Sequence, residues 1–174
     1  PELEGCGFKA YEGKHVIALV VPSRAKETTR KLMDGDNMLA KKFHVFGVSH
    51  LKFENGALSS NIIKNINPEN VEKLQNRLAL KEDDLVILCA DEKKDKACWA
   101  LGALRNYYGQ LLCLCKKDDY KPLFVINWPL FERDDEGNIL SLSNPFTRPI
   151  DEDLHYLDED PTKIHSTSYD TVLN

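Results

Sequence analysis

The 174 residues are 42% apolar, enough for one ordinary domain or for a small domain with part of another, and their formal net charge is -5. That balance excludes a broad nucleic-acid-coating role: it predicts no DNA partner and leaves RNA only a local basic patch. The longest aliphatic run, 16–21, is too short to cross a bilayer, and five scattered cysteines without disulfide-framework spacing predict a reducing, cytoplasmic setting.

In chain order, Phe8 to Glu12 and His15 to Val21 are β-prone runs joined by Glu12-Gly13-Lys14, which predicts a hairpin. Ser23 is placed to cap a helix from Arg24, with Ala25, Thr29 and Leu32 toward a core. Asp34-Gly35-Asp36-Asn37 is expected to break or cap it before a further helical turn through Met38 to Phe43. His44 to Phe53 is β-branched and aromatic, and Asn55-Gly56 predicts a tight hairpin into Ala57 to Ile63. Asn67-Pro68 then opens a helix whose Val71, Leu74 and Leu78 share a face. The order is β-β-α-β-β-α, a two-layer α+β unit with a mostly antiparallel sheet under two helices.

A further strand and helix follow. Leu85 to Ala90 is an apolar run suited to a strand covered on both faces, and Asp91 sits at an N-cap position. Ala97, Leu101, Leu104 and Tyr108 recur at spacings of four, three and four, which defines one helix face, and Gly109 is placed as a C-terminal cap. Gly102 interrupts good helix formers at a cost of about 1 kcal/mol, so a close crossing by another element is expected there. Gln110 to Lys121 is polar and turn-forming, which sets the domain boundary at 115/116. Beyond it, Leu123 to Ile126, Ile139 to Leu142 and Tyr169 to Leu173 are strands, and 150–167 is an acidic loop with short helices. Pro1 in place of an initiating methionine, and an end at Asn174 inside an apolar run, predict a piece cut from a longer chain.

No glycine-rich phosphate loop is present. Cys113 and Cys115 lack a second ligand pair at zinc-finger spacing and read as two thiols on one strand face, so no metal site is expected. His155 and His165 pair with no nucleophile and read as solvated histidines. Lys93, Lys94, Lys96 and Arg105 lie along the helix between Asp91 and Gly109 and are candidate RNA-backbone contacts, diluted by Glu92 and Asp95.

Ala-Asp at 90–91 followed by Ala-Leu-Gly-Ala-Leu-Arg at 100–105 resembles bacterial-type aspartyl-tRNA synthetases. Residues 7–80 resemble the insertion domain these enzymes share with an aminoacyl-tRNA amidotransferase subunit, the GAD domain. FVINWPLFE at 124–132, NPFTRP at 144–149 and SYDTVLN at 168–174 resemble catalytic-domain segments between that insertion and the third class II motif. The resemblance implies a GAD-like insertion domain at 1–115 and, at 116–174, part of the antiparallel class II catalytic sheet. It implies a parent that activates aspartate with ATP and Mg2+ and charges tRNA(Asp) as a homodimer. The partners of the chain would then be tRNA and the rest of the synthetase. Motifs 2 and 3 of the class are absent, so the chain alone is expected to be inactive, to hold no cofactor and to contain no catalytic residue. Ser143 and Asn144 are adenylate-proximal by resemblance, but they replace the histidine pair that precedes Pro-Phe-Thr in the family. Neither can carry an imidazolium charge. The alternative is a free-standing α+β module that contacts tRNA or a protein.

Overall fold

The computed structural model describes residues 2–116, 118–134, 136–144 and 146–173. Between Leu114 and Cys115 the chain divides into two compact units.

The first unit is built on β4, Leu85–Asp91, whose residues Leu85 to Cys89 are all buried. It pairs antiparallel with β1, His15–Val21, on one side and with β2, Val48–Glu54, on the other. The short β3, Ala57–Ser59, pairs with β2 and completes the order β1-β4-β2-β3. Asn55 and Gly56, both at positive φ, turn the β2–β3 hairpin as the Asn-Gly dipeptide predicts.

The alternation of side chains along β4 sends Leu85, Ile87 and Cys89 to one face and Val86 and Leu88 to the other. The first face packs on α1, Arg30–Lys41, and α3, Lys94–Leu111, through Ala40, Ala97, Leu101, Leu104 and Tyr108. The second packs on α2, Pro68–Leu78, and on the N-terminal segment, through Leu74, Leu3, Cys6 and Tyr11. The unit therefore has three layers instead of the two expected, because both residue sets of β4 are apolar and each needs a cover.

Among the described residues only one strand precedes α1. Residues 9–13 form turns, with the Tyr11 N–H donating to the Phe8 carbonyl at 2.8 Å. The two apolar residues of that run stand three apart, a spacing that lets Phe8 and Tyr11 meet edge to face and cannot keep both on one side of a strand. α1 begins at Arg30, six residues later than Ser23 and Arg24 suggest, capped by Thr29, which accepts from the Leu32 N–H. Residues 23–26 are instead tied to the turn before β4: the Arg24 and Ala25 N–H groups donate to the Asp83 carbonyl, and that of Ser23 to the Asp84 carboxylate. α1 then runs unbroken through Asp34 to Asn37, and Asn37 accepts the Val48 N–H at 2.9 Å. Gly47 lies under that contact, where a Cβ would sit 2.6 Å from the Asn37 oxygen.

The stripe on α3 is as expected, but its ends are not. Asp91 belongs to β4 and accepts the Lys93 N–H, Lys93 is the N-cap, and the helix continues past Gly109 to Leu111. The close crossing expected at Gly102 is not found among the described residues, where an added Cβ would meet nothing within 4 Å. Cys113 and Cys115 are exposed and lie outside any strand.

The second unit has two antiparallel ribbons: β5, Leu123–Val125, with β8, Asp170–Val172, and β6, Phe131–Arg133, with β7, Ile139–Ser141. Residues 150–163 carry α4, Tyr156–Glu159, between two 3-10 turns. Residues 164–167 run between 128–130 and 148–150: the Leu130 N–H donates to the Ile164 carbonyl, and the Ile150 N–H to that of His165. Leu130, Ile164 and Ser166 are its buried residues among those described.

Candidate functional site

Two places hold the residues singled out by sequence. The first is α3. Lys93, Lys94 and Arg105 are exposed and Lys96 is half-buried. At 100° per residue Lys94 and Arg105 fall about 20° apart around the helix and about 16 Å apart along it, whereas Lys96 lies on the other side. The four do not form one stripe. Register adds neighbours that sequence spacing does not suggest: His15 pairs with Asp91 and Val48 with Cys89, so the start of β1 lies at the same sheet end as Lys93 and Lys94. Lys94 also lines a groove of about 740 Å3 beside β1, with Glu2, Lys14, His15 and Arg77 at its rim.

The second is in the smaller unit. The Asn144 carboxamide oxygen accepts from the Phe146 N–H at 3.0 Å and from the Thr147 hydroxyl at 3.2 Å, which commits it to its own turn. The Ser143 carbonyl accepts from the Ser141 hydroxyl at 2.8 Å. Arg148 is held by Asp151. None of the three lines the groove of about 680 Å3 formed by Phe124, Ile126, Asn127, Ile150, Tyr169 and the hydroxyls of 166–168, and no charged side chain lines it either. His165 is exposed, as expected, and is also paired: its N–H and its Nδ1 both meet Asp153 Oδ2, at 2.9 and 2.8 Å. Those contacts hold the Asp153 carboxyl below the usual carboxylate range. Among the described residues no three His, Cys, Asp or Glu side chains gather in a cation-binding cluster.

A third group is not anticipated from sequence. Asp36 on α1 is fully buried, and its Oδ2 lies 2.7 Å from His50 Nε2 on β2 and accepts from the Tyr108 hydroxyl on α3 at 2.7 Å. Burial, followed by that bond and by the Asp36 charge, pushes the Tyr108 phenol well above its ordinary range. The signal was present: Leu32, Asp36 and Leu39 repeat at four and three, so Asp36 falls on the core face if the helix passes through Gly35. The group joins three elements and is closed to solvent, so it serves architecture.

Residues 8–101, more than half of the chain, match the GAD domain family. The chain belongs to that family. The match ends at Leu101, inside α3, so the GAD domain supplies the sheet, α1, α2 and the lysine-bearing start of α3. Similarity to curated proteins runs further. An aspartate–tRNA ligase of Lactobacillus acidophilus is 35% identical over 164 residues, covering 94% of this chain and 26% of that protein. The enzyme of the same name from Listeria welshimeri is 36% identical over 173 residues, covering 96% and 29%. That of Streptococcus pyogenes is 35% identical over 174 residues, covering 99% and 30%. The chain thus spans less than a third of the length of these relatives, and what it shares with them includes the GAD domain and the smaller unit beyond it.

Proposed function

We propose that the chain is a section of an aspartate–tRNA ligase, with residues 1–115 forming the insertion domain and 116–174 a segment of the catalytic domain. The parent activates aspartate with ATP and Mg2+ and transfers it to tRNA(Asp), acting as a homodimer in the cytoplasm. The observation that carries this reading is identity extending over 94–99% of the chain, through both units. The ribbons β5–β8 and β6–β7 are then strands of the antiparallel class II sheet, and the rest of the synthetase supplies its other strands. Exposed Phe124, Ile126, Leu140, Leu142 and Phe146 support this, since isolated soluble units leave few such clusters uncovered.

The residues present do not compose a triphosphate site. Near Ser143 and Asn144 the cation is Arg148, already engaged by Asp151, and the adjoining groove has no charged lining. One charge-assisted bond to phosphate contributes about 1.5–3 kcal/mol, against about 8.2 kcal/mol for a micromolar constant. The chain alone therefore neither binds ATP tightly nor makes aspartyl-adenylate. Calorimetry with ATP and Mg2+ should give no micromolar binding, and aspartate-dependent pyrophosphate exchange should stay at background. Either signal would overturn the reading.

A second reading, an RNA-contacting module, is favoured by one feature of the first unit. Phe46 is 94% exposed in the segment after α1, which follows exposed Lys41 at the helix end and carries exposed Lys42 and His44, an aromatic set among cations that suits a stacked base and its phosphates. Together with Lys93, Lys94 and Arg105, and without Lys96, which lies on the other side of α3, it would bind a tRNA acceptor arm weakly and with a steep salt dependence. Filter binding of tRNA to the chain and to its Phe46→Ala variant tests it, and equal retention of tRNA by the two would remove Phe46 from the contact.

A further inference from the structure

Cysteine is among the most buried residue types, and Cys6, Cys89 and Cys98 follow that rule, the first two buried and the third half-buried. Cys113 and Cys115 do not: both are exposed, and both are free thiols. Cys113 also takes a backbone conformation that disfavours a side chain. α3 ends in a Schellman cap, in which the Cys113 N–H donates to the Gln110 carbonyl and the Leu114 N–H to the Gly109 carbonyl, both at 3.0 Å. The residue after the C-cap Leu112 is then left-handed, and Cys113 has a φ of 50° at a position that favours glycine. Neither burial nor the cap selects a thiol at 113, which leaves the chemistry of the thiol to account for it.

We propose that Cys113 and Cys115 form a reversible dithiol–disulfide site, oxidised by small-molecule disulfides, whose closure stiffens the exit of the chain from α3. Reach follows from covalent geometry. Consecutive Cα atoms are about 3.8 Å apart, so those of Cys113 and Cys115 lie within about 7 Å of each other however Leu114 turns. Disulfides form at Cα separations of about 4.4–6.8 Å, so a bend at Leu114 alone closes the bridge. The other thiols do not compete: Cys6 and Cys89 are buried, and Cys98 lies thirteen residues before the end of α3, about 20 Å along the helix.

The reaction is thiol–disulfide exchange in two steps. Either thiolate attacks one sulfur of the small disulfide and expels one small thiolate, which leaves a mixed disulfide on the chain. The neighbouring thiolate then attacks the cysteine sulfur of that adduct and expels the second. Two protein thiols have lost two electrons and two protons, and one small disulfide has become two thiols. Charges of both signs follow between Lys116 and Lys121, so pairing and exposure, not a local field, make the site reactive. In a reducing compartment the pair stays open and closes only when the surrounding thiol pool turns oxidising. The cap already sets the backbone of Cys113, so the soft dihedrals that closure fixes are those of Leu114.

The test equilibrates the full chain with reduced and oxidised glutathione at a series of ratios, alkylates the remaining thiols and maps the tryptic peptides by mass spectrometry. Cleavage after Arg105 and Lys116 leaves both cysteines on one peptide, 106–116. That peptide should lose two hydrogen atoms as the ratio turns oxidising, without any link between chains, and dithiothreitol should restore it. In Cys113→Ser and in Cys115→Ser the same peptide should instead stop at a single glutathione adduct. Both substitutions fall on exposed residues, so folding is not at risk. Amide exchange at residues 114–116 should slow on oxidation of the unsubstituted chain and stay unchanged in both variants. A peptide that stops at two glutathione adducts, or a disulfide-linked dimer in its place, overturns the site. Exchange that is the same in the reduced and oxidised chain overturns the stiffening.

Discussion

The two units differ in how far they satisfy themselves. In the first, β4 is covered above and below, and each of its faces belongs to a buried cluster that draws on several elements. In the second, Leu130, Ile164 and Ser166 are buried while Phe124, Ile126, Leu140, Leu142, Phe146, Tyr169 and Leu173 stay more than a third exposed. Apolar composition alone does not distinguish a self-sufficient domain from part of one. What distinguishes them is whether the apolar residues of each strand find a second layer within the same stretch of chain.

The most severe way to break this contrast is to remove the polar group at the centre of the first unit. Asp36→Ala leaves the Tyr108 hydroxyl and the His50 ring without their acceptor. Each buried group left unpaired costs about 1–3 kcal/mol, so about 2–6 kcal/mol should be lost, measured by urea unfolding of the first unit. Ile87→Ala comes next: the residue is fully buried, and emptying such a site costs about 2–5 kcal/mol. Hydrogen exchange should show both losses in residues 2–114 and leave protection in 115–173 unchanged. Equal loss in both units would mean that they fold as one.

pH separates them in another way. Burial raises the Tyr11 phenol from 10.0 to about 12 and the Cys89 thiol from 9.0 to about 11. Above pH 9 to 10 the unfolded chain loses these protons while the folded one keeps them, so stability falls as pH rises toward 11 and 12. For Tyr11 this corresponds to about 2–3 kcal/mol. In the second unit Asp134, Asp153 and Asp160 are instead held below the usual carboxylate range by hydrogen bonds, from Asn138, His165 and Thr162 respectively. There the unfolded chain takes up protons first as pH falls, so stability is lost at and below about pH 4. Alkaline titration followed by circular dichroism should unfold the first unit first, and Tyr11→Phe should remove part of that sensitivity.

The sequence announces β4, the α3 stripe and the Asn-Gly hairpin because each rests on an unbroken local pattern. It hides the start of α1 because the 23–26 segment is held by Asp83 and Asp84, some sixty residues away, in bonds that no local rule contains. The same blindness applies to the candidate sites. The lysines at 93, 94 and 96 are visible as a run, but only strand register shows that His15 joins them and only helix geometry shows that Lys96 points elsewhere. Asp36 was concealed by its neighbours, since Asp-Gly-Asp-Asn has the composition of a turn while its spacing is that of a helix.

Gly102 sharpens the comparison at lower amplitude. A glycine in a helix of the self-sufficient unit suggests close packing, yet an added Cβ meets nothing within 4 Å, so only the helix-propensity effect remains. Gly102→Ala should therefore stabilise the first unit by up to about 1 kcal/mol, seen as a raised melting temperature. A lowered one would show a contact at that face.

The smallest expected effect bears most directly on the exposed apolar residues of the second unit. Leu140 lies on β7 opposite Glu132 and is 44% exposed. Removing a side chain that already faces water takes away little burial, so Leu140→Ala in this chain should change stability by no more than about 0.5 kcal/mol. In the longer parent, where we propose that further strands cover this ribbon, the same substitution would empty a packed site and cost about 2–5 kcal/mol. Measuring Leu140→Ala in both settings isolates what the proposed further strands contribute. Equal, near-zero effects would mean that the face of β7 stays solvent-exposed in the parent, and the account of the exposed apolar residues as an uncovered sheet face would fail at this ribbon.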